Sequence, residues 1–121
     1  MAKILVIEDE PDLRANVARL LKAEGYDVLT AENGVAGAEM ALAQQPDLII
    51  CDIAMPEMDG FGVLFSLREN VTTAHVPFIF LTASTRTYDR NFGVELGAND
   101  YITKPIDVDK LVSLIRIWMP K

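Results

Sequence analysis

The sequence predicts an α/β domain: a parallel β-sheet with helices on both faces. Three observations carry this expectation. Short apolar runs alternate five times with segments of helical periodicity across the 121 residues. Three of those runs, at 4–7, 48–51 and 78–81, have no polar alternation, as expected of strands covered on both sides. Each of the three stops abruptly at a polar residue.

Residues 4–7 form the first strand, ending in Glu8-Asp9-Glu10. Pro11 suits the first turn of a helix, where its missing N–H costs nothing. Leu13, Val17, Leu20 and Leu21 recur at helical spacing up to Glu24, and Gly25 closes that helix. Residues 26–31 have mixed polarity and read as a strand at the sheet edge. Asn33-Gly34 reads as a turn, followed by an Ala-rich helix to Gln45 that Pro46 stops. Strand three, 47–51, gives way at Asp52 to a loop marked by Pro56 and Asp59-Gly60. Phe61, Leu64, Phe65 and Leu67 define an amphipathic helix over 61–70. Pro77 opens strand four, 78–81, which ends in Thr82-Ala83-Ser84. A helix carrying Tyr88, Phe92 and Leu96 runs to Gly97. Strand five, 100–103, ends in Lys104-Pro105. Asp107 is placed to cap a last helix containing Leu111, Leu114, Ile115 and Trp118.

The totals exclude several function classes. Half of the residues are apolar, enough for a sizeable core in one domain spanning 1–121. A net charge of -7 offers no footprint for a nucleic-acid backbone and disfavours anionic membrane surfaces. No apolar run approaches the roughly 20 residues of a membrane helix. After Met1-Ala2-Lys3, an apolar run of only four residues, 4–7, reaches Glu8, too short for a secretory leader, and the single cysteine, Cys51, has no partner for a disulfide. A cytoplasmic location is therefore expected. Cys51 reads as a small buried hydrophobe.

In a parallel sheet, the carboxyl ends of the strands meet on one edge, where open α/β sheets bind ligands. Here those ends carry Glu8-Asp9, Asp52, Thr82 and Lys104. Taken singly, each has an ordinary structural reading: an acidic helix start, a loop cap, a strand-end hydroxyl, an exposed lysine. Together they fall at the ends of four different strands. Three carboxylates within a few Å need a counter-charge, and a hard divalent cation such as Mg²⁺ (or Mn²⁺) takes such oxygen ligands. A carboxylate, an ammonium, a hydroxyl and a metal are the parts that stabilise a phosphoryl group in transfer, and a carboxylate can accept that group as an acyl phosphate.

With I-L-V-I-E-D-E at 4–10, D-L-I-I-C-D-I-A-M-P-E-M-D-G at 47–60, F-L-T-A at 80–83 and G-A-N-D-Y-I-T-K-P at 97–105, the chain resembles a response-regulator receiver domain, the CheY-like module of two-component phosphorelay signalling. The resemblance implies a five-stranded sheet in the order 2-1-3-4-5. It implies that Asp52 is the phosphoacceptor for a phosphohistidine on a sensor histidine kinase or phosphotransfer protein. Glu8, Asp9, Asp52 and the carbonyl of Ala54 would hold the metal. Thr82, the Ala83 amide and Lys104 would meet the phosphoryl oxygens. Tyr101 would be an aromatic switch that turns inward as Thr82 moves, and Lys104-Pro105 a cis turn. The output would be a changed surface of helix four, strand five and helix five, read by a downstream domain or protein. Such a chain is a signalling switch and not an enzyme turning over an external substrate.

Ala54, two residues past Asp52, and Ser84, two past Thr82, occupy positions that in the family bear on the water hydrolysing the acyl phosphate. Alanine offers that water no hydrogen bond. The last helix carries more apolar residues than one buried stripe needs, which leaves a surface for a partner or a phosphorylation-dependent homodimer. Leu114 stands where DNA-binding relatives often carry an arginine used in one such dimer. Three readings compete. A flavodoxin-like cofactor site would want a phosphate-cradling loop where this chain has Glu8-Asp9-Glu10. A dehalogenase-type phosphohydrolase would want an aspartate where this chain has Ala54. An unphosphorylated receiver-like interaction module would need no change of sequence.

Overall fold

The computed structural model describes residues 2–83 and 87–120, with the backbone alone for 87–89. Among the described residues, five strands alternate with five helices: β1 (Lys3–Ile7), α1 (Pro11–Ala23), β2 (Asp27–Ala31), α2 (Gly34–Gln44), β3 (Leu48–Asp52), α3 (Gly60–Arg68), β4 (Phe78–Thr82), α4 (Thr87–Leu96), β5 (Asp100–Thr103) and α5 (Val108–Trp118). All strand pairings are parallel and the order is β2-β1-β3-β4-β5, as expected.

The absence of polar alternation in β1, β3 and β4 has the predicted cause. Leu5, Ile7, Ile49, Cys51, Phe78 and Phe80 face one way and pack with Ala41 of α2 and Val63, Leu64 and Leu67 of α3. Ile4, Val6, Leu48, Ile50, Ile79 and Leu81 face the other way, onto Val17 and Leu21 of α1 and Leu111 and Ile115 of α5. Each fully buried side chain of this kind contributes roughly 1.5–3 kcal/mol by leaving water. Cys51 is fully buried, as read from the sequence. β2 lies at the sheet edge and is only partly buried.

The punctuation residues do what their chemistry allows. Gly25, at φ +96°, follows α1 with its N–H donating to Lys22 O, and Tyr26 N donates to Leu21 O. Two expectations are corrected. Asn33-Gly34 is not a free turn: Asn33 is extended and its side chain accepts from Ala36 N at 2.8 Å, so it caps α2 and Gly34 is helical. Asp59-Gly60 likewise starts α3, with Asp59 accepting from Gly62 N at 2.9 Å. The same short polar side chains serve turns and helix caps, so residue type alone does not separate the two. Asp107 caps α5 as expected, accepting from Lys110 N at 3.2 Å.

Candidate functional site at the carboxyl edge of the sheet

The strand register assembles the site. Ile7 pairs with Cys51, so Glu8 and Asp52 emerge side by side from β1 and β3. Asp52 pairs with Leu81, and Thr82 with Thr103, so Lys104 leaves β5 beside the end of β4. The Lys104 N–H donates to Thr82 O at 2.8 Å, and the Lys104-Pro105 bond is cis. Asp52 and Thr82 are the last residues of their strands and are nearly buried; Glu8 is fully buried and Asp9 exposed.

Carboxylate oxygens of Glu8, Asp9 and Asp52 all lie within 4.8 Å of one another. Lys104 Nζ donates to Asp52 Oδ2 at 3.0 Å and lies 3.0 Å from Glu8 Oε1. The second contact is an ion pair off the hydrogen-bonding direction, so Glu8 Oε1 accepts no hydrogen bond among the described residues. Glu8 Oε2 accepts from Glu10 N at 3.1 Å, and the Glu8 carbonyl accepts from Arg14 Nη1 at 2.8 Å. One ammonium thus faces three acids.

The electrostatics follow from this imbalance. Burial pushes the Glu8 carboxyl up to about 7; the Glu10 N–H and Lys104 pull it back, and the charge of Asp52 adds to the rise. Burial alone would lower the Lys104 ammonium, but its hydrogen bond to Asp52, its ion pair with Glu8 and the charges of both acids outweigh it and hold Lys104 above its ordinary value. Burial, then the nearby acids, push the Cys51 thiol far up, so it is no nucleophile despite adjoining Asp52.

A cleft of about 710 Å³ opens over Asp52, lined by Ala54, Met55, Pro56, Phe61, Thr82, Ala83 and Lys104 among others. Ala54 and Ala83 sit exposed at its rim. Ser84 lies outside the described residues, as does the Tyr88 side chain. Tyr101 is 6 % exposed, points inward and donates from its hydroxyl to Arg90 O at 2.9 Å. Its ring lies 5.3 Å from that of Phe80.

The sequence reading missed three residues. Phe61, counted only as an apolar helix residue, lines the cleft and packs edge-on against Phe80 and Phe92, at 5.3 and 4.9 Å. Arg68 donates to Gly97 O at 2.9 Å and to Thr73 O at 3.2 Å, tying the end of α3 to the α4–β5 turn. Gly93 lies buried against Tyr101 and Phe80. The helical spacing of Phe61 carried some signal; a lone arginine and a lone glycine inside helices carried none.

The donor set fits a hard divalent cation. It is all oxygen, it is under-neutralised by one lysine, and it includes a buried carboxylate oxygen that accepts no hydrogen bond among the described residues.

Comparison with known proteins agrees. The family model for the response regulator receiver domain matches residues 4–116. The chain is 40% identical over 116 residues to the DNA-binding dual master transcriptional regulator RpaA of Synechocystis, covering 96% of this chain and 48% of RpaA. It spans about half the length of several such relatives. Among solved structures, the chemotaxis protein CheY4 of Vibrio cholerae superposes with a TM-score of 0.94 at 29% identity, over 98% of this chain and 99% of CheY4. The receiver domain of the sensor histidine kinase PA1611 of Pseudomonas aeruginosa, described with a magnesium ion coordinated in its active-site cleft, gives 0.89 at 30% identity, over 97% and 96%. The strand order, the acid cluster at the strand ends and the sequence match across nearly all of the chain agree: this protein belongs to the response-regulator receiver domains of two-component signalling.

Proposed function

We propose that this chain is a phosphorylation-dependent switch in which Asp52 accepts a phosphoryl group from a phosphohistidine. An Asp52 carboxylate oxygen attacks phosphorus, the P–N bond breaks, and the imidazole leaves with its electron pair and takes up a proton. The observation that carries this reading is Lys104 Nζ at 3.0 Å from Asp52 Oδ2, at the floor of an open cleft and beside two further acids.

Each neighbour has a task. Lys104 pairs with a phosphoryl oxygen as charge builds there, and the Thr82 hydroxyl and Ala83 N–H donate to others. Glu8, Asp9, Asp52 and the Ala54 carbonyl would hold Mg²⁺ or Mn²⁺. The bound ion supplies neutralising charge at the phosphoryl oxygens. The magnesium-bearing PA1611 receiver supports that assignment. The product adds roughly 1.5–2 negative charges and three acceptors at the ends of β3 and β4. Thr82 and Lys104 respond, and α4, β5 and α5 present a changed surface to an output domain or protein. The donor is a sensor histidine kinase or phosphotransfer protein in the cytoplasm, and the chain consumes one phosphoryl group per cycle without turning over an external substrate. Leu114 is only partly buried and Ile117 is 68 % exposed, so the α5 surface has room for a partner or a second phosphorylated copy.

The test is incubation with acetyl phosphate and Mg²⁺, followed by intact mass. An acid-stable, base-labile phosphoryl adduct that Asp52→Ala cannot form is expected. A wild-type protein that takes up no phosphoryl group would mark the chain as an unphosphorylated interaction module.

A further inference from the structure

We infer that Gly93 is the seat of the Tyr101 switch, a positioning residue whose missing Cβ admits the Tyr101 ring to its inward place. Gly93 is buried on α4. A Cβ built there would overlap the Tyr101 hydroxyl outright and stand 2.9 Å from both Tyr101 Cζ and Phe80 Cε2. Phe80 is fully buried between Phe61, Phe78 and Tyr101 and can give only by tenths of an ångström, enough to relieve its own 2.9 Å contact and not the overlap at the Tyr101 hydroxyl. The overlap is worst at the far end of the Tyr101 side chain, so Tyr101 is the group that must yield.

Its inward place is built from the same turn of helix. The hydroxyl donates to the carbonyl of Arg90, three residues before Gly93, and the Arg90 guanidinium lies 5.5 Å from the ring centroid. Glycine weakens a helix interior relative to alanine, so with free space at this position Gly93→Ala would strengthen α4. The seat predicts the opposite result: the added methyl group expels Tyr101. The part of the inference that concerns phosphorylation rests on Asp52 being the phosphoacceptor. If phosphorylation favours the inward ring, a substitution that disfavours it must weaken the phosphorylated state, by up to the factor that couples the two.

Two proteins test this: Gly93→Ala, and Gly93→Ala combined with Tyr101→Phe, which removes the overlapping oxygen. In the unphosphorylated proteins, nuclear Overhauser contacts between the ring at position 101 and Phe80 read the ring position directly. They are expected in the wild type, lost in Gly93→Ala, and regained in the double variant. Beryllofluoride with Mg²⁺, titrated by Trp118 fluorescence, is expected to bind Gly93→Ala about 5-fold or more weakly. The double variant should recover most of that loss. Should Gly93→Ala fail to fold, the double variant is expected to fold. Ring contacts retained in Gly93→Ala, or a loss that Tyr101→Phe does not repair, would overturn the inference. A wild type that does not bind beryllofluoride counts against phosphorylation at Asp52, and the ring contacts still decide the case of Gly93.

Discussion

Replacing Glu8 by glutamine should stabilise the metal-free protein at alkaline pH. Burial raises the Glu8 carboxyl from 4.5 to about 7. The folded state therefore holds a proton that the unfolded chain releases, and stability falls as pH rises between those values. The contribution is fully present below pH 4.5 and lost above about 7. That difference corresponds to about 3 kcal/mol at 1.36 kcal/mol per pH unit. Glutamine keeps the shape and cannot ionise. At pH 8 in a chelator, Glu8→Gln should therefore melt roughly 10 °C above the wild type. The gap should shrink steadily as pH is lowered toward 5. Adding Mg²⁺ should reverse the order, because an ion held by Glu8, Asp9 and Asp52 stabilises the wild type by mass action and the variant less. Urea or thermal melts at matched pH, with and without metal, make the measurement. A gap that does not change from pH 5 to 8, or a variant less stable than wild type at pH 8 without metal, would show that burial does not hold the Glu8 proton.

Two further outcomes follow from single residues. Arg68→Met keeps the aliphatic stem but removes the donors to Gly97 O and Thr73 O, and should cost about 2 kcal/mol in urea unfolding while leaving phosphoryl uptake intact. Ala54→Asn places an amide at the rim of the cleft where a water attacking the acyl phosphate would pass; decay of the labelled phosphoprotein should quicken, and an unchanged lifetime would remove Ala54 as a timer.

Much of this was legible in the sequence for a physical reason. A strand buried on both faces has no room for polar residues, so 4–7, 48–51 and 78–81 stand out, and their ends are marked by the first polar residue. Because the sheet is parallel, those ends share one edge, and Glu8, Asp52, Thr82 and Lys104 come together without further information. Legibility failed where meaning depends on distant partners. The carbonyls that Arg68 serves include Gly97, 29 residues away. Gly93 matters only because Tyr101 and Phe80 converge on it. In α3, nearly every side chain is apolar, so periodicity could not separate buried Leu64 and Leu67 from Phe65, which is 56 % exposed. α5 was read better: Leu111 and Ile115 are buried while Val108 and Ile117 stay exposed, the surplus of apolar surface its composition implied.

The role of Asp52 is decided by where the phosphoryl group sits. After reaction with acetyl phosphate and Mg²⁺, borohydride reduces an aspartyl phosphate to homoserine, which peptide mass spectrometry places in the sequence. Phosphorylation at Asp52 gives homoserine at position 52 alone, dependent on the metal and abolished by Asp52→Asn. Homoserine at another position, or none in a folded protein carrying its full complement of Mg²⁺, would contradict it.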